Sequence, residues 1–81
     1  MTSEVYKGLL KFPKLLGEHR YKIVKLLLEN NEMNISEIQR GLGISYKETR
    51  RHVYNLEEIG IVVLRKIKGV HQPCLCSLKD I

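Results

Sequence analysis

Apolar positions recur at helical spacing over residues 3–12, where Val5, Leu9 and Phe12 stand at i, i+4 and i+7 with Tyr6 and Leu10 on the adjoining stripe. Thr2 or Ser3 offers an N-cap to this first amphipathic helix. Pro13 either ends it or opens the next, because the residue before a proline is pushed away from helical geometry. A second helix starts near Glu18. Its apolar repeat is Ile23, Val24, Leu27 and Leu28, its outer face carries Lys22, Lys25 and Glu29, and Asn30-Asn31 closes it.

The short piece Met33-Asn34-Ile35 leads to Ser36, which reads as the N-cap of a helix over Glu37-Ile38-Gln39-Arg40-Gly41-Leu42, with Gly41 and Gly43 serving the turn and left-handed stop. Only Ile44 separates that stop from Ser45, a further N-cap with Glu48 three residues on in capping-box position. The next helix runs from Tyr46 to about Ile59 and ends at Gly60. Two helices joined by so short a Gly-containing turn form a helix-turn-helix. From Ile61 to Lys68 the periodicity changes to a run rich in β-branched residues, Lys68-Gly69-Val70-His71 is turn-like, and Cys74 to Leu78 alternates. This predicts a β-hairpin whose second strand is either placed at an edge or displaced in its start by Pro73. The fold class is therefore mainly α with a small β-hairpin (α+β), in one continuous domain over residues 1–81.

Composition adds an electrostatic bias. The 81 residues hold 14 Lys+Arg against 9 Asp+Glu, a net charge of +5 with a pI near 9.4, and their 43% hydrophobic content suffices for a core. Residues 1–25 carry six basic residues against Glu4 and Glu18, a surplus of +4. Residues 26–44 carry Arg40 against Glu29, Glu32 and Glu37, a balance of −2. Residues 45–71 carry Lys47, Arg50, Arg51, Arg65, Lys66 and Lys68 against Glu48, Glu57 and Glu58, again a surplus, of +3. This pattern favours an anionic partner, nucleic acid before an acidic membrane surface. Two cysteines are too few for a secreted disulfide framework, and the start of the chain does not read as a signal peptide, so an intracellular, cytoplasmic protein is expected. The apolar runs Leu26-Leu27-Leu28 and Ile61-Val62-Val63-Leu64 fall far short of a membrane span of about 18 residues.

The order helix, helix, short strand, helix, turn, helix, hairpin resembles the winged helix-turn-helix domain. Three blocks resemble the arsenic-repressor-like (ArsR) regulators. Leu15-Leu16-Gly17-Glu18-His19-Arg20-Tyr21-Lys22-Ile23-Val24 is similar to their opening. Ile35-Ser36-Glu37-Ile38 followed by Leu42-Gly43-Ile44-Ser45 is similar to their helix-turn-helix. Arg51-His52-Val53-Tyr54-Asn55-Leu56-Glu57-Glu58-Ile59-Gly60-Ile61-Val62 is similar to the end of their recognition helix and the start of the wing, and is the most specific block. The resemblance covers about residues 15–78. This sequence departs from the family in stopping at Ile81, without the usual dimerisation helix after the wing, and in having Asn34 and Ser36 where metal-sensing members carry Cys-x-Cys. The short chain, rich in Ile, Leu, Lys and Glu, also resembles compact regulators of thermophilic archaea and their viruses.

On a helical period Thr49, Val53 and Leu56 share one stripe with His52 beside it, and the resemblance puts that stripe against the core. Lys47, Arg50, Arg51 and Tyr54 share the other face, with Tyr46 and Asn55 near its edges and Glu48 at its margin. Such a helix fits the major groove of duplex DNA, where Arg50 and Arg51 are expected to read bases and Lys47 and Tyr46 to lie nearer phosphates, beside the N–H groups freed at Ser45. Glu57 and Glu58, repelled by phosphate, should point away and pair with lysines. On the hairpin, Arg65, Lys66, Lys68 and His71 cluster around Gly69 for backbone or minor-groove contact, against the alternative that lysines merely discourage edge pairing.

Cys74 and Cys76 share a strand face and read as small buried side chains, with a redox role left open and His71 too little to complete a metal site. No metal, no cofactor, no membrane contact, no small-molecule substrate and no catalysis is expected. His19 and His52 should pack or bond locally. The first helix presents more apolar surface than a small winged domain needs, so Val5, Leu9, Phe12 and Leu16 are expected to form a homodimer interface, with folding back on its own core as the alternative. The expected function is a sequence-specific transcription regulator, of repressor type, binding double-stranded DNA. The alternative is a protein–protein module in a transcription or chromatin complex.

Overall fold

The computed structural model describes Tyr6, Gly8, Lys11, residues 17–66 and residues 74–79, with Cys74 through its backbone. The expectations for Val5, Leu9, Phe12, Leu15 and Leu16, and those for Lys68, Gly69, His71 and the hairpin turn, lie outside these residues.

Helix α1, Glu18–Asn30, buries Ile23, Val24 and Leu27 along one face, and Asn31 ends it with a φ of 64° while its N–H donates to the Leu27 carbonyl. Helix α2, Ile35–Leu42, begins two residues earlier than its serine suggested. Asn34 is the N-cap: its Oδ1 accepts the Glu37 N–H at 2.8 Å and Glu37 Oε1 accepts the Asn34 N–H at 3.0 Å, a reciprocal capping box. The early start lets Ile35 join Ile38 in the core, whereas a cap at Ser36 would leave Ile35 outside the helix. Ser36 is exposed within the first turn.

Gly41 is likewise a helix residue and not part of the turn. A Cβ there would lie 2.7 Å from Leu26 Cδ1, so its bare backbone is what lets α2 approach α1 so closely. Gly43 takes the left-handed stop, at φ 71° and ψ 26°, and its N–H donates to the Gln39 carbonyl. Helix α3, Tyr46–Glu58, follows from Ser45. Its exit is a paired-bond stop: the Gly60 N–H donates to Glu57 O at 3.0 Å and the Ile61 N–H to Leu56 O at 2.9 Å. The Gly60 φ of 82° makes that geometry cheap for glycine alone.

Three strands form one antiparallel sheet in the order β1-β3-β2: β1 is Glu32–Asn34, β2 Val62–Lys66 and β3 Cys74–Leu78. The short strand expected at Met33-Asn34-Ile35 is β1, one residue earlier, and it joins the hairpin as a third strand. The hairpin's second strand is central, so Pro73 does not mark an edge; the strand begins after it, where every residue has an N–H for the ladder. Cys76 pairs with Met33 on one side and Leu64 on the other, and is fully buried. The core formed by Ile23, Leu27, Met33, Ile35, Ile38, Val53, Leu56, Val62 and Cys76 lies between this sheet and the three helices.

The N-terminal segment meets this unit at one described point. Tyr6, helical in backbone and fully buried, packs with Val24 beside Tyr21, Leu28, Ile61 and Leu78. Its hydroxyl lies 2.8 Å from the Lys79 carbonyl and 3.1 Å from the Ile61 carbonyl. Ile61 O also accepts the Lys79 N–H at 2.8 Å, so the tyrosine seals the base of the hairpin.

Candidate nucleic-acid interface

The face that α3 shows to solvent follows from how its other face is anchored. Ser45 Oγ accepts the Glu48 N–H at 3.1 Å, and the Thr49 Oγ1 returns a hydrogen bond to the Ser45 carbonyl at 2.9 Å. Thr49, Val53 and Leu56 are each wholly buried, which sets the rotation of the helix about its axis. Lys47, Arg50 and Arg51 are consequently exposed, with Tyr54 and Asn55 half-buried beside them. Tyr46 is half-buried too, packed against the core cluster, so less of it is open than its place at the helix start suggested.

Ser45, Lys47, Glu48, Arg50, Arg51 and Tyr54 line one open depression. Within it the Arg50 guanidinium sits 5.1 Å from the centre of the Tyr54 ring, a cation–π contact between residues one helical turn apart. Glu48 is part of the lining, where its sequence position had suggested a margin. Its side chain does not complete the capping box expected at Ser45, which is formed from the serine side only.

Behind this face lies a histidine pair. The His19 and His52 rings stand 5.2 Å apart at 56°, joining the start of α1 to the middle of α3. His52 Nδ1 is buried with no hydrogen-bond partner among the described residues. Burial, then the charges of Arg51, His19 and Arg20, hold its pKa below the ordinary 6.5, against a smaller opposing pull from Glu48. Arg20 of α1 is thus among the charges that act on His52, an influence from another helix that periodicity within α3 had no means of revealing.

The strands complete the basic surface less simply. Arg65 Nη2 bonds Glu32 Oε2 at 2.8 Å, reaching from β2 across β3 to β1. The register makes this possible, since Arg65 and Val63 flank Leu75 and Ser77, and Ser77 faces Glu32. Arg65 is therefore engaged by a carboxylate, while Lys66 is exposed at the end of its strand. Only the sheet order brings Glu32 and Arg65 together, so their spacing of 33 residues carried no signal. Glu57 and Glu58 are exposed, and neither forms the expected lysine pair among the described residues. The helix repeat aligns Glu58 with Lys47, Arg51 and Tyr54 at i+11, so it stands at the far end of their stripe and not on the opposite side.

Among the described residues no group of three or more His, Cys, Asp or Glu could hold a metal ion, and no helix is long and apolar enough to cross a membrane. Residues 16–63, more than half of the chain, match a family model described as winged helix-turn-helix DNA-binding. No curated protein shows a significant match.

Proposed function

Because the chain belongs to the winged helix-turn-helix DNA-binding family, we propose that it is a sequence-specific transcription regulator that acts as a homodimeric repressor on duplex DNA. The observation that carries this reading is the outer face of α3, on which Lys47, Arg50 and Arg51 stand exposed around Tyr54 while the opposite face is sealed into the core. Helix α3 enters the major groove. Arg50 and Arg51 reach base edges, where arginine grips guanine O6 and N7, and Lys47 with the N-terminal amides at Ser45 takes phosphates. Tyr46, Tyr54 and Asn55 border the same contact.

Lys66, Lys68 and His71 extend the contact along the backbone or minor groove, with Arg65 joining them where phosphate displaces Glu32. The segment holding Val5, Leu9, Phe12 and Leu16 supplies the two-fold interface, which sets paired recognition helices about 34 Å apart on successive major grooves. Repression follows from occupancy of such a site, and the likeness of three sequence blocks to arsenic-repressor-like regulators supports that sign. The family membership and the basic face favour DNA over a protein partner.

Titration of the protein against duplex DNA at increasing salt tests the reading. About six phosphates neutralised per subunit give a log–log slope near −5 per subunit. Arg50→Ala together with Arg51→Ala should lower affinity at least about 30-fold, since each good bidentate contact is worth roughly 1–3 kcal/mol. Absence of duplex binding at low salt, or binding indifferent to the double substitution, overturns the reading. Sedimentation of the free protein and of its complex checks the two-fold arrangement.

A further inference from the structure

We propose that Glu48 is a specificity-determining residue that reads a cytosine in the major groove, an inference that rests on the DNA-binding reading above. Its carboxylate stands in the lining of the depression formed with Lys47, Arg50, Arg51 and Tyr54, on the first turn of α3. A negative charge on a surface built to meet phosphate weakens every non-specific contact nearby. The start of α3 favours a carboxylate by itself, and in this lining that carboxylate also provides an acceptor that the neighbouring cations lack.

Glu48 stands in the first turn of α3 and exerts a minor pull on His52, but neither role ties up its oxygens in a hydrogen bond or ion pair. In α2 the equivalent residue, Glu37, folds back to accept the N-cap N–H at 3.0 Å. In α3 only the Ser45 side chain contributes to the cap, and the Glu48 carboxylate does not return to the Ser45 N–H. The ion pairs among the described residues, Lys22 with Glu18 and Arg65 with Glu32, leave it out as well. Glu48 is exposed, so its oxygens are open to an incoming donor.

The major groove offers two kinds of base-edge donor, cytosine N4 and adenine N6. Adenine sets its N6 beside the N7 acceptor, which suits the amide of Asn or Gln and repels a carboxylate. Cytosine presents its amino group without that neighbour and is the base that an acceptor-only side chain selects. The arginines on the same face supply the complement, since the guanine opposite that cytosine offers O6 and N7 to a guanidinium. Glu48 therefore adds a cytosine to the half-site and excludes thymine, whose O4 at the same place is an acceptor.

Selection of bound duplexes from a random pool, run with the wild type, Glu48→Gln and Glu48→Ala, tests this. The wild type should enrich cytosine at one position of each half-site, and replacing that base should weaken its binding about tenfold. Glu48→Ala should lose the preference at that position alone while binding random duplex a few-fold more tightly. Glu48→Gln should move the preference toward adenine. Identical base preferences in all three proteins would show that Glu48 serves only the helix start, and would overturn the proposal while leaving DNA binding intact. A wild type that enriches no duplex removes both readings. Thermal melting of each variant accompanies the selection, so that a fold defect is seen as a lowered melting temperature and not as altered specificity.

Discussion

Arg50 and Arg51 are neighbours in sequence with different surroundings. Arg50 lies over the Tyr54 ring, so part of its rotamer freedom is already spent in the free protein. Arg51 sits beside His52 and helps to hold that imidazole neutral. Tyr54→Ala should therefore weaken duplex binding by about threefold to tenfold with an unchanged salt slope, because it removes the support of a cation and not a charge. Tyr54→Phe should retain affinity; anisotropy titrations of the two variants at several salt concentrations provide the comparison. For His52 the sign is fixed by its lowered pKa: between that value and 6.5 the unfolded chain binds more protons than the native one. Its contribution to stability is complete above 6.5 and lost as pH falls toward the folded pKa. The difference in melting temperature between wild type and His52→Phe should accordingly narrow or reverse on going from pH 7.5 to about pH 5.5, as followed by circular dichroism.

At the level of elements, the two helix starts show what local patterning reveals. Ser45 was legible as a cap because an apolar repeat begins directly after it and Gly43 closes the helix before. Asn34 was not, since Asn34 with Glu37 and Ser36 with Gln39 both satisfy the same spacing rule. What separates them is tertiary: β1 must extend to Asn34 to pair with Leu75, and Ile35 must enter the helix to reach the core. Asn34→Ala should cost about 1 kcal/mol of stability, and Ser36→Ala should be within about 0.5 kcal/mol of wild type, by urea denaturation. An equal loss in both variants would reassign the cap. The exposed basic face of α3 was readable for a related reason in reverse. Its residues all lie on one helix, so a 3.6-residue repeat suffices to group them, whereas the Arg65–Glu32 bridge depends on three strands found far apart in sequence.

On the scale of the whole molecule, the +5 charge includes the exposed basic face of α3, and a sheet on which one cation, Arg65, is already engaged by Glu32. Tyr6 links the N-terminal segment to this unit through carbonyls 55 and 73 residues away in the chain, separations at which no sequence pattern speaks. Tyr6→Phe keeps the buried ring and removes the hydroxyl, leaving the Lys79 carbonyl without that donor. A loss of about 1–2 kcal/mol in denaturant unfolding is expected, and an unaltered stability would mean that the hydroxyl contributes nothing to holding the hairpin base. The central place of β3 has a dynamic consequence. Among the described residues β1 and β2 each find their strand partner only in β3. An opening that releases residues 74–78 therefore unprotects the inward-bonded amides of both neighbours in a single event, so hydrogen exchange across the sheet should report one cooperative unit and not two independent edges.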